Sequence, residues 1–325
     1  MFIHIFLPGN EVTAEQVRSS KLASARLRMW PLIEAARLEG YEITLGDTAP
    51  PHTELAVVGK IGAANIARRQ DHWLNQMRVL QSAKRRVVLD YTDHHLETSS
   101  VMTPFYSRAV HSCDTIVCPT SALSAELQQT VISPKFMTIF DLMEYPTAPP
   151  KSNLSSKNVK VMWFGHPSNG QFLAKFIDEN SAGMADCQLV VVSTSDTVRI
   201  LQQYPYQQRP ALELSFVDWS PQNVLEISRQ VDLCVIPSDL RSSKRFASNN
   251  RLVTALSLGL PTIATPIDSY KEFSKFFAEE SSEIASAVMR SPLTLVNEIL
   301  EFQHSHAPQF QQDAIISSWR ELLRS

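Results

Sequence analysis

The sequence predicts an α/β protein made of two parallel-sheet halves, and three observations predict it. Short apolar runs alternate with helical stretches along the chain, the pattern of βαβ units. One segment rich in Pro, Ser and Asn interrupts the alternation near the middle, after which it restarts. At 325 residues the chain is longer than a single hydrophobic core usually grows, so two domains are expected.

The first run, FIHIFL, is closed by Pro8 and Gly9 and reads as a buried parallel strand. A long helical stretch follows, EVTAEQVRSSKLASARLRMWPLIEAARLEG. In it Leu22, Ala25, Trp30, Ile33, Ala36 and Leu38 lie near helical spacing, Gly40 suits a C-cap, and Pro31 is expected to kink or restart the helix. Further strands are expected at YEITL (41–45), ELAVV (54–58), RVVLD (86–90), DTIVC (114–118) and FMTIF (136–140). MEYPTAPPKSNLSSKN, from Met143 to Asn158, lacks periodicity and reads as linker. Strands resume at KVMWFG (160–165), CQLVVVS (187–193), ALELSFV (211–217), VDLCVIPS (231–238) and LPTIAT (260–265), and two amphipathic helices, LTLVNEILEFQ and QQDAIISSWRELLR, close the chain. The expected organisation is a Rossmann-like half at 1–146, a linker at 147–158, a second Rossmann-like half at 159–305 and a C-terminal helix at 306–325. No internal repeat of solenoid or propeller period is present.

Composition excludes several classes. A net charge of -3 gives no global drive toward nucleic acid. Cys113, Cys118, Cys187 and Cys234 form no C-x-x-C pair and read as reduced thiols of a cytoplasmic protein. The start, MFIHIFLPGNEV, has no basic n-region, and no apolar run approaches a membrane span, so a soluble protein without a signal peptide is expected. G-x-G-x-x-G after the first strand, G-x-x-x-x-G-K-[ST], G-x-S-x-G and H-E-x-x-H are all missing, which removes the best support for dehydrogenase, P-loop kinase, α/β-hydrolase and zincin readings. Nine glycines leave little material for a glycine-rich phosphate loop, and with D-x-D absent no metal or other cofactor is expected.

Three stretches of the second half carry a resemblance: VMWFGHPSNG, then LSFVDWSPQNVLEISRQVDLCVIPSD, then KRFASNNRLVTALSLGLPTIATP. In this order they resemble the landmarks of GT-B glycosyltransferases, specifically the large retaining group (glycosyltransferase group 1 like) whose nucleotide-sugar site lies in the C-terminal domain. The matching positions are Phe164-Gly165, Phe216 to Trp219, Val231 to Ser238 and Gly259 to Pro261. In the first half, RVVLDYTDHHLE resembles the loop facing the acceptor, CDTIVCPTSALSAEL the strand and helix after it, and FDLMEYP the segment before the linker. SSWRELLR resembles the last helix, which in that fold crosses back toward the N-domain. The resemblance implies two Rossmann-like domains facing a central cleft, the first for acceptor and the second for nucleotide sugar. One motif departs: the Glu-x7-Glu pair of the retaining group falls on Phe246 and Thr254, and Asn249, Asn250 and Arg251 precede the helix instead. Retention of anomeric configuration is therefore not implied.

Glycosyl transfer develops negative charge on the leaving diphosphate while the anomeric carbon becomes oxocarbenium-like, so cations and amide donors are needed beside the phosphate. Lys244 and Arg251 flank a helix start whose free N–H groups favour an anion, and Ser248, Asn249 and Asn250 add side-chain donors. The competing reading is that Ser248 or Asn249 only caps the helix and the cations are solvated. Gly165, His166 and Asn169 lie where a strand meets a helix, either an ordinary βα turn or a close approach to ligand. Trp219 either stacks on the base or closes the core edge.

In the first half, Asp93, His94 and His95, just past the strand ending in Asp90, are the candidates for taking the acceptor proton or steadying the transition state. Helix capping and ion pairing are the alternative, and two adjacent histidines are expected to point apart, which excludes a shared zinc site. The resemblance implies that Gly9 and Asn10, in the first loop, approach the phosphates. Seven basic residues (Lys60, Arg68, Arg69, Arg78, Lys84, Arg85 and Arg86) against Asp71 make either a solvated helix face or a patch for peripheral docking on the inner face of a membrane.

The expected activity is transfer of a hexosyl or related group from a nucleotide sugar to a glycan or lipid-linked acceptor, with bacterial surface polysaccharide biosynthesis as the setting the resemblance implies. Two alternatives stay open. The missing Glu pair fits a catalytically inactive GT-B scaffold that binds glycan or a partner enzyme, and the fold is also that of sugar-nucleotide epimerases.

Overall fold

A computed structural model describes residues 1–9, 13–96, 98–150, 159–180, 187–203, 213–241, 243–280 and 295–325. The chain divides into two compact units, one formed by Met1–Met143, Phe246–Ser248 and Gln309–Ser325, the other by Glu144–Arg245 and Asn249–Pro308.

Unit 1 is a six-stranded parallel sheet of β1 (Phe2–Phe6), β2 (Glu42–Gly46), β3 (Leu55–Val58), β4 (Arg86–Asp90), β5 (Thr115–Cys118) and β6 (Lys135–Thr138), in the order β2-β1-β3-β4-β5-β6. The central runs, such as LAVV of β3, are buried at every position, which is why they read as unbroken apolar stretches. The long helix expected after β1 is split. α1 (Ala14–Arg18) opens on a capping box between Thr13 and Gln16, whereas a π-helical stretch at Ala25–Met29 leads into α2 (Trp30–Leu38). Pro31 sits where the π-helical stretch passes into α2, so the break in regular α-helical bonding falls at the proline. Leu22 therefore lies outside a helix and Leu38 at a helix end, and both are exposed, at 49% and 63%. α3 (Ile66–Ser82), α4 (Thr103–Ala109) and α5 (Ser121–Gln128) complete the layers.

The C-terminal helix, Gln312–Arg324, belongs to this unit. Ile315, Ile316, Trp319, Leu322 and Leu323 are buried in one core cluster with Leu32, Ile33 and Ala36 of α2. Each such aliphatic chain contributes about 2 kcal/mol. At its end Arg320 and Arg324 both donate to Glu39, at 2.6 and 2.7 Å.

Unit 2 follows the same plan. Its elements are β7 (Lys160–Phe164), α6 (Gly170–Glu179), β8 (Gln188–Ser193), α7 (Ser195–Gln202), β9 (Glu213–Asp218), α8 (Pro221–Ser228), β10 (Leu233–Ile236), α9 (Asn250–Ser257), β11 (Thr262–Ala264), β12 (Ala278–Glu279) and α10 (Val296–Ser305). The parallel order is β12-β11-β10-β7-β8-β9. β12, two residues long, leaves no apolar run for a reader of the sequence to find. Winding reverses between β1 and β3 in unit 1 and between β7 and β10 in unit 2, and in such sheets ligands bind outside the carboxyl ends of the strands at that switch. Aligned on the switch, β2-β1-β3-β4-β5 corresponds to β8-β7-β10-β11-β12. Unit 1 then adds β6 at one end, and unit 2 adds β9 at the other.

Gly259 shows why the G-x-P needs its glycine. Its φ is +75°, and a Cβ there would lie 2.7 Å from the carbonyl oxygens of Ala148 and Pro149. The start of the expected linker thus packs directly on the end of α9. Ala148 N donates to the Ser257 carbonyl at 2.8 Å, and the Gln303 amide donates to the carbonyls of Ala148, Leu256 and Ser257. The remainder of the linker, 151–158, lies outside the described residues.

Candidate functional site

At the switch of unit 2, β7 ends in Phe164 and the loop begins with Gly165. The Ser193 hydroxyl, at the end of β8, donates to the Gly165 carbonyl at 2.7 Å and pairs with Thr197 at 2.6 Å. A Cβ on Gly165 would lie 3.3 Å from the Trp163 ring and 3.4 Å from Nη1 of Arg251. Arg251, from the first turn of α9, thus reaches the end of β7. The residue is half-buried, its Nη1 is buried without a hydrogen bond, and among the described residues it forms no ion pair. Burial pushes the neighbouring Tyr270 phenol up and the Arg251 charge opposes that shift. Asn249, at the N-cap, is fully buried; its carbonyl accepts from Val253 N at 3.0 Å, while its side-chain amide makes no hydrogen bond of ordinary geometry. The Glu272 carboxyl beside it is pushed up by partial burial and held back by the nearby Asn249 side chain. Next along the edge, Ser238 N donates to the Thr265 hydroxyl at 2.8 Å, and that hydroxyl donates to Glu280, whose carboxyl burial pushes up.

The corresponding edge of unit 1 is charge-paired. Asp90, at the end of β4, is fully buried and receives two bonds from Arg28 Nε at 2.8 and 2.9 Å and one from Nη2 at 2.6 Å. Arg28 also donates to Asp141 at 2.9 Å and to the Ile139 carbonyl at 2.8 Å, and lies over the Trp319 ring. Burial alone would push the guanidinium pKa down; the Asp90 and Asp141 carboxylates outweigh it, so Arg28 stays charged. Lys60 pairs with Asp93. His94 and His95 are 5% and 6% exposed: His95 stacks on Tyr106 at 4.5 Å, and His94 meets Phe246 edge to face at 5.3 Å. Among the described residues no group of three or more His, Cys, Asp or Glu is placed to hold a metal ion.

No protein-family model matches the chain, and no curated protein matches it by sequence. Solved structures do match. The crystal structure of Anabaena Alr3699/HepE in complex with UDP and glucose aligns with a TM-score of 0.68 at 13% identity, over 100% of this chain and 99% of that one. The apo lipopolysaccharide outer core galactosyltransferase WaaB aligns at 0.58 and 11% identity, covering 100% and 99%. AviGT4, a glycosyltransferase involved in avilamycin A biosynthesis, aligns at 0.54 and 10% identity, covering 100% and 98%. The fold is GT-B.

Within this GT-B chain the residues singled out in the sequence fall into three groups. Gly165, Asn249, Asn250 and Arg251 come together at the carboxyl edge of unit 2, with His166 and Asn169 on the loop that Gly165 opens. His166 is exposed and accepts from Ser168 N at 3.2 Å, which closes the turn before α6. Lys244 is half-exposed in the short 3₁₀ turn Ser243–Phe246. Trp219 follows β9, the edge strand, with β8 between it and β7, and its N–H donates to the Ser193 carbonyl at 3.0 Å. In unit 1, Gly9 is exposed on the loop after β1, and Asn10 lies outside the described residues.

One expectation is corrected. Ser248 neither caps α9 nor stands open as a donor, because its hydroxyl proton is engaged by Asp141 within unit 1; the N-cap position belongs to Asn249, whose side chain makes no capping bond. The basic run is part engaged and part exposed. Lys60 is paired with Asp93, Arg69 is spent on Asp47 and three backbone carbonyls, and Arg86 donates to the Leu322 carbonyl at the end of the C-terminal helix, at 3.0 Å. Asp71 pairs with Arg108.

Phe246, where the first carboxylate of the retaining pair would fall, is 4% exposed in an apolar cluster with Tyr91 and Tyr106, a place that disfavours a charge. Sequence reading missed Tyr270, Thr265 and Glu280. The place of Thr265 at the end of the run LPTIAT was the one signal available for it; the others follow no motif.

Proposed function

We propose that the chain transfers a sugar from a nucleotide-activated donor to a glycan or lipid-linked acceptor. The observation that carries the proposal is Arg251, a half-buried cation without an ion pair among the described residues, held against Gly165 at the switch of a Rossmann-type sheet. Such a cation at a helix start suits the diphosphate of a sugar nucleotide. The Anabaena protein, crystallised with UDP and glucose, supports the same reading by likeness of fold.

In this reading Gly165, His166, Asn169, Asn249 and Asn250 line the donor, Lys244 and Arg251 supply the charge that offsets the leaving diphosphate, and no metal takes part. Trp219 faces the base. The anomeric C–O bond to phosphate breaks as the acceptor oxygen bonds to that carbon, and the acceptor proton passes to a carboxylate. Asp93 is the candidate for that step, since its side chain is 32% exposed whereas His94 and His95 are buried.

Surface polysaccharide assembly in the cytoplasm is the setting we favour. Among the described residues no helix is long and apolar enough to cross a membrane. Contact with an anionic leaflet would fall to the exposed Arg68, Arg78, Lys84 and Arg85, each worth about 1 kcal/mol near such a surface. Charge reversal of all four should abolish salt-sensitive flotation with phosphatidylglycerol vesicles.

The test is titration with UDP, GDP, CMP and ADP followed by turnover of the matching sugar nucleotides with acceptor extracts. One nucleotide should raise the melting temperature, and Arg251→Gln should weaken it about 30-fold, the loss of one charge-assisted bond. Absence of both nucleotide binding and turnover would overturn the proposal. Isomerised sugar nucleotide without acceptor would favour an epimerase, and nucleotide binding without any turnover would favour a scaffold.

A further inference from the structure

We infer that Arg69 is the positioning residue for the ligand-bearing edge of unit 1. The inference rests on the reading that this unit takes the acceptor. Arg69 stands in the first turn of α3, and its side chain is 11% exposed. Its Nη2 donates to the Pro8 carbonyl at 2.9 Å, in the loop after β1. Its Nη1 donates to the carbonyls of Ala64 at 2.6 Å and Ile61 at 3.4 Å, in the loop after β3. Its Nε donates to Asp47 at 3.2 Å, in the loop after β2. One guanidinium therefore joins the three loops that follow β2, β1 and β3, the neighbouring strands at the switch.

The rest of α3 continues the arrangement. Trp73 Nε1 donates to the same Asp47 oxygen at 3.0 Å, the His72 ring meets the Thr48 hydroxyl at 3.0 Å, and Gln76 accepts from Ala49 N at 3.1 Å. The loops also approach each other closely. A Cβ on Gly59 would lie 2.9 Å from the Phe6 carbonyl oxygen, and one on Gly62 would lie 3.7 Å from the Pro8 ring. Lys60, between these glycines, is the residue that pairs with Asp93. The fork thus fixes the loop that carries Lys60, and through it the proposed acceptor carboxylate. Lysine cannot replace this geometry, because an ammonium is a point donor while guanidinium presents donors in a rigid plane.

Arg69→Lys keeps the charge and removes the fork, and two readouts on the full chain separate the possibilities. In hydrogen–deuterium exchange, amides of residues 44–49 and 59–66 should exchange about tenfold faster while unit 2 is unchanged, as expected for local release. With UDP-glucose as donor probe and octyl β-D-glucoside as acceptor probe, kcat/KM for the acceptor should fall about tenfold, mainly through KM, as misplacement of a positioning group does. KM for UDP-glucose should stay within about twofold. Asp47→Asn, which keeps an acceptor for Trp73, should reproduce both effects more weakly. Unchanged exchange in both segments, or an equal rise in unit 2, overturns the inference. Faster exchange in both segments without transfer by the parent chain to octyl glucoside upholds the clamp and counts against the acceptor reading alone.

Discussion

At the carboxyl edge of unit 1, Arg28, Lys60 and Arg69 each meet a carboxylate: Asp90 and Asp141, Asp93, and Asp47. At the same edge of unit 2, Arg251 meets none among the described residues and keeps one nitrogen buried without a bond. A half-buried cation with one nitrogen out of water and no carboxylate beside it favours an anionic partner, so the two edges ask for different things. The self-neutralised edge suits an uncharged polyol whose hydroxyl loses a proton, and the unneutralised one suits an anion. The difference also separates what each cation does for the protein: Arg28 holds the fold together, and Arg251 holds something in reserve.

Substitutions at the two edges should differ in their effect on stability. The largest effect belongs to Arg28→Ala, which strands two buried carboxylates and should cost about 4 kcal/mol in urea unfolding; a loss under about 1 kcal/mol would show that the network is not structural. Gly259→Ala should cost about 3 kcal/mol through its positive φ and the linker carbonyls, showing that unit 2 is as breakable as unit 1.

Next comes pH. His4, on β1 beside the edge strand β2, is held at a pKa of about 4 by burial, against the opposing bond to the Gly46 carbonyl. The folded state binds its proton less readily than the unfolded state, so this contribution is complete above pH 6.5 and falls as pH drops from 6.5 toward 4. Between pH 7 and pH 4.5 the parent should lose about 2 kcal/mol more than His4→Gln does; parallel curves would remove His4 from the account. The smallest effect is expected for Arg251→Gln, whose unfolding free energy should stay within about 0.5 kcal/mol of the parent, or rise. A loss comparable to that of Arg28→Ala would erase the contrast between the edges.

Much of the fold was legible because its strands are buried on both faces and announce themselves as apolar runs; LAVV and IVC needed no context. The candidate edge of unit 2 was legible in part, since Gly165 and Arg251 stand at strand and helix boundaries that the alternation marks. What escaped reading depends on pairs far apart in the chain. Arg28 with Asp90 spans 62 residues and Ser248 with Asp141 spans 107, and nothing local in KRFASNN shows that Phe246 and Ser248 pack with unit 1. The basic run was legible only in part for a related reason: the charge of Arg69 and Arg86 is visible in sequence, but the carbonyls that consume their donors are not.

The added strand of unit 2 has one more consequence. Trp219 rides on β9, which lies outside the five strands that both units share, whereas Gly165 and Arg251 stand on or beside the shared set. Under the proposed function, contact with a nucleobase and contact with a diphosphate would fall to separable parts of the sheet. Rewriting the outer strand would then change base preference and leave the diphosphate contacts of the shared strands in place.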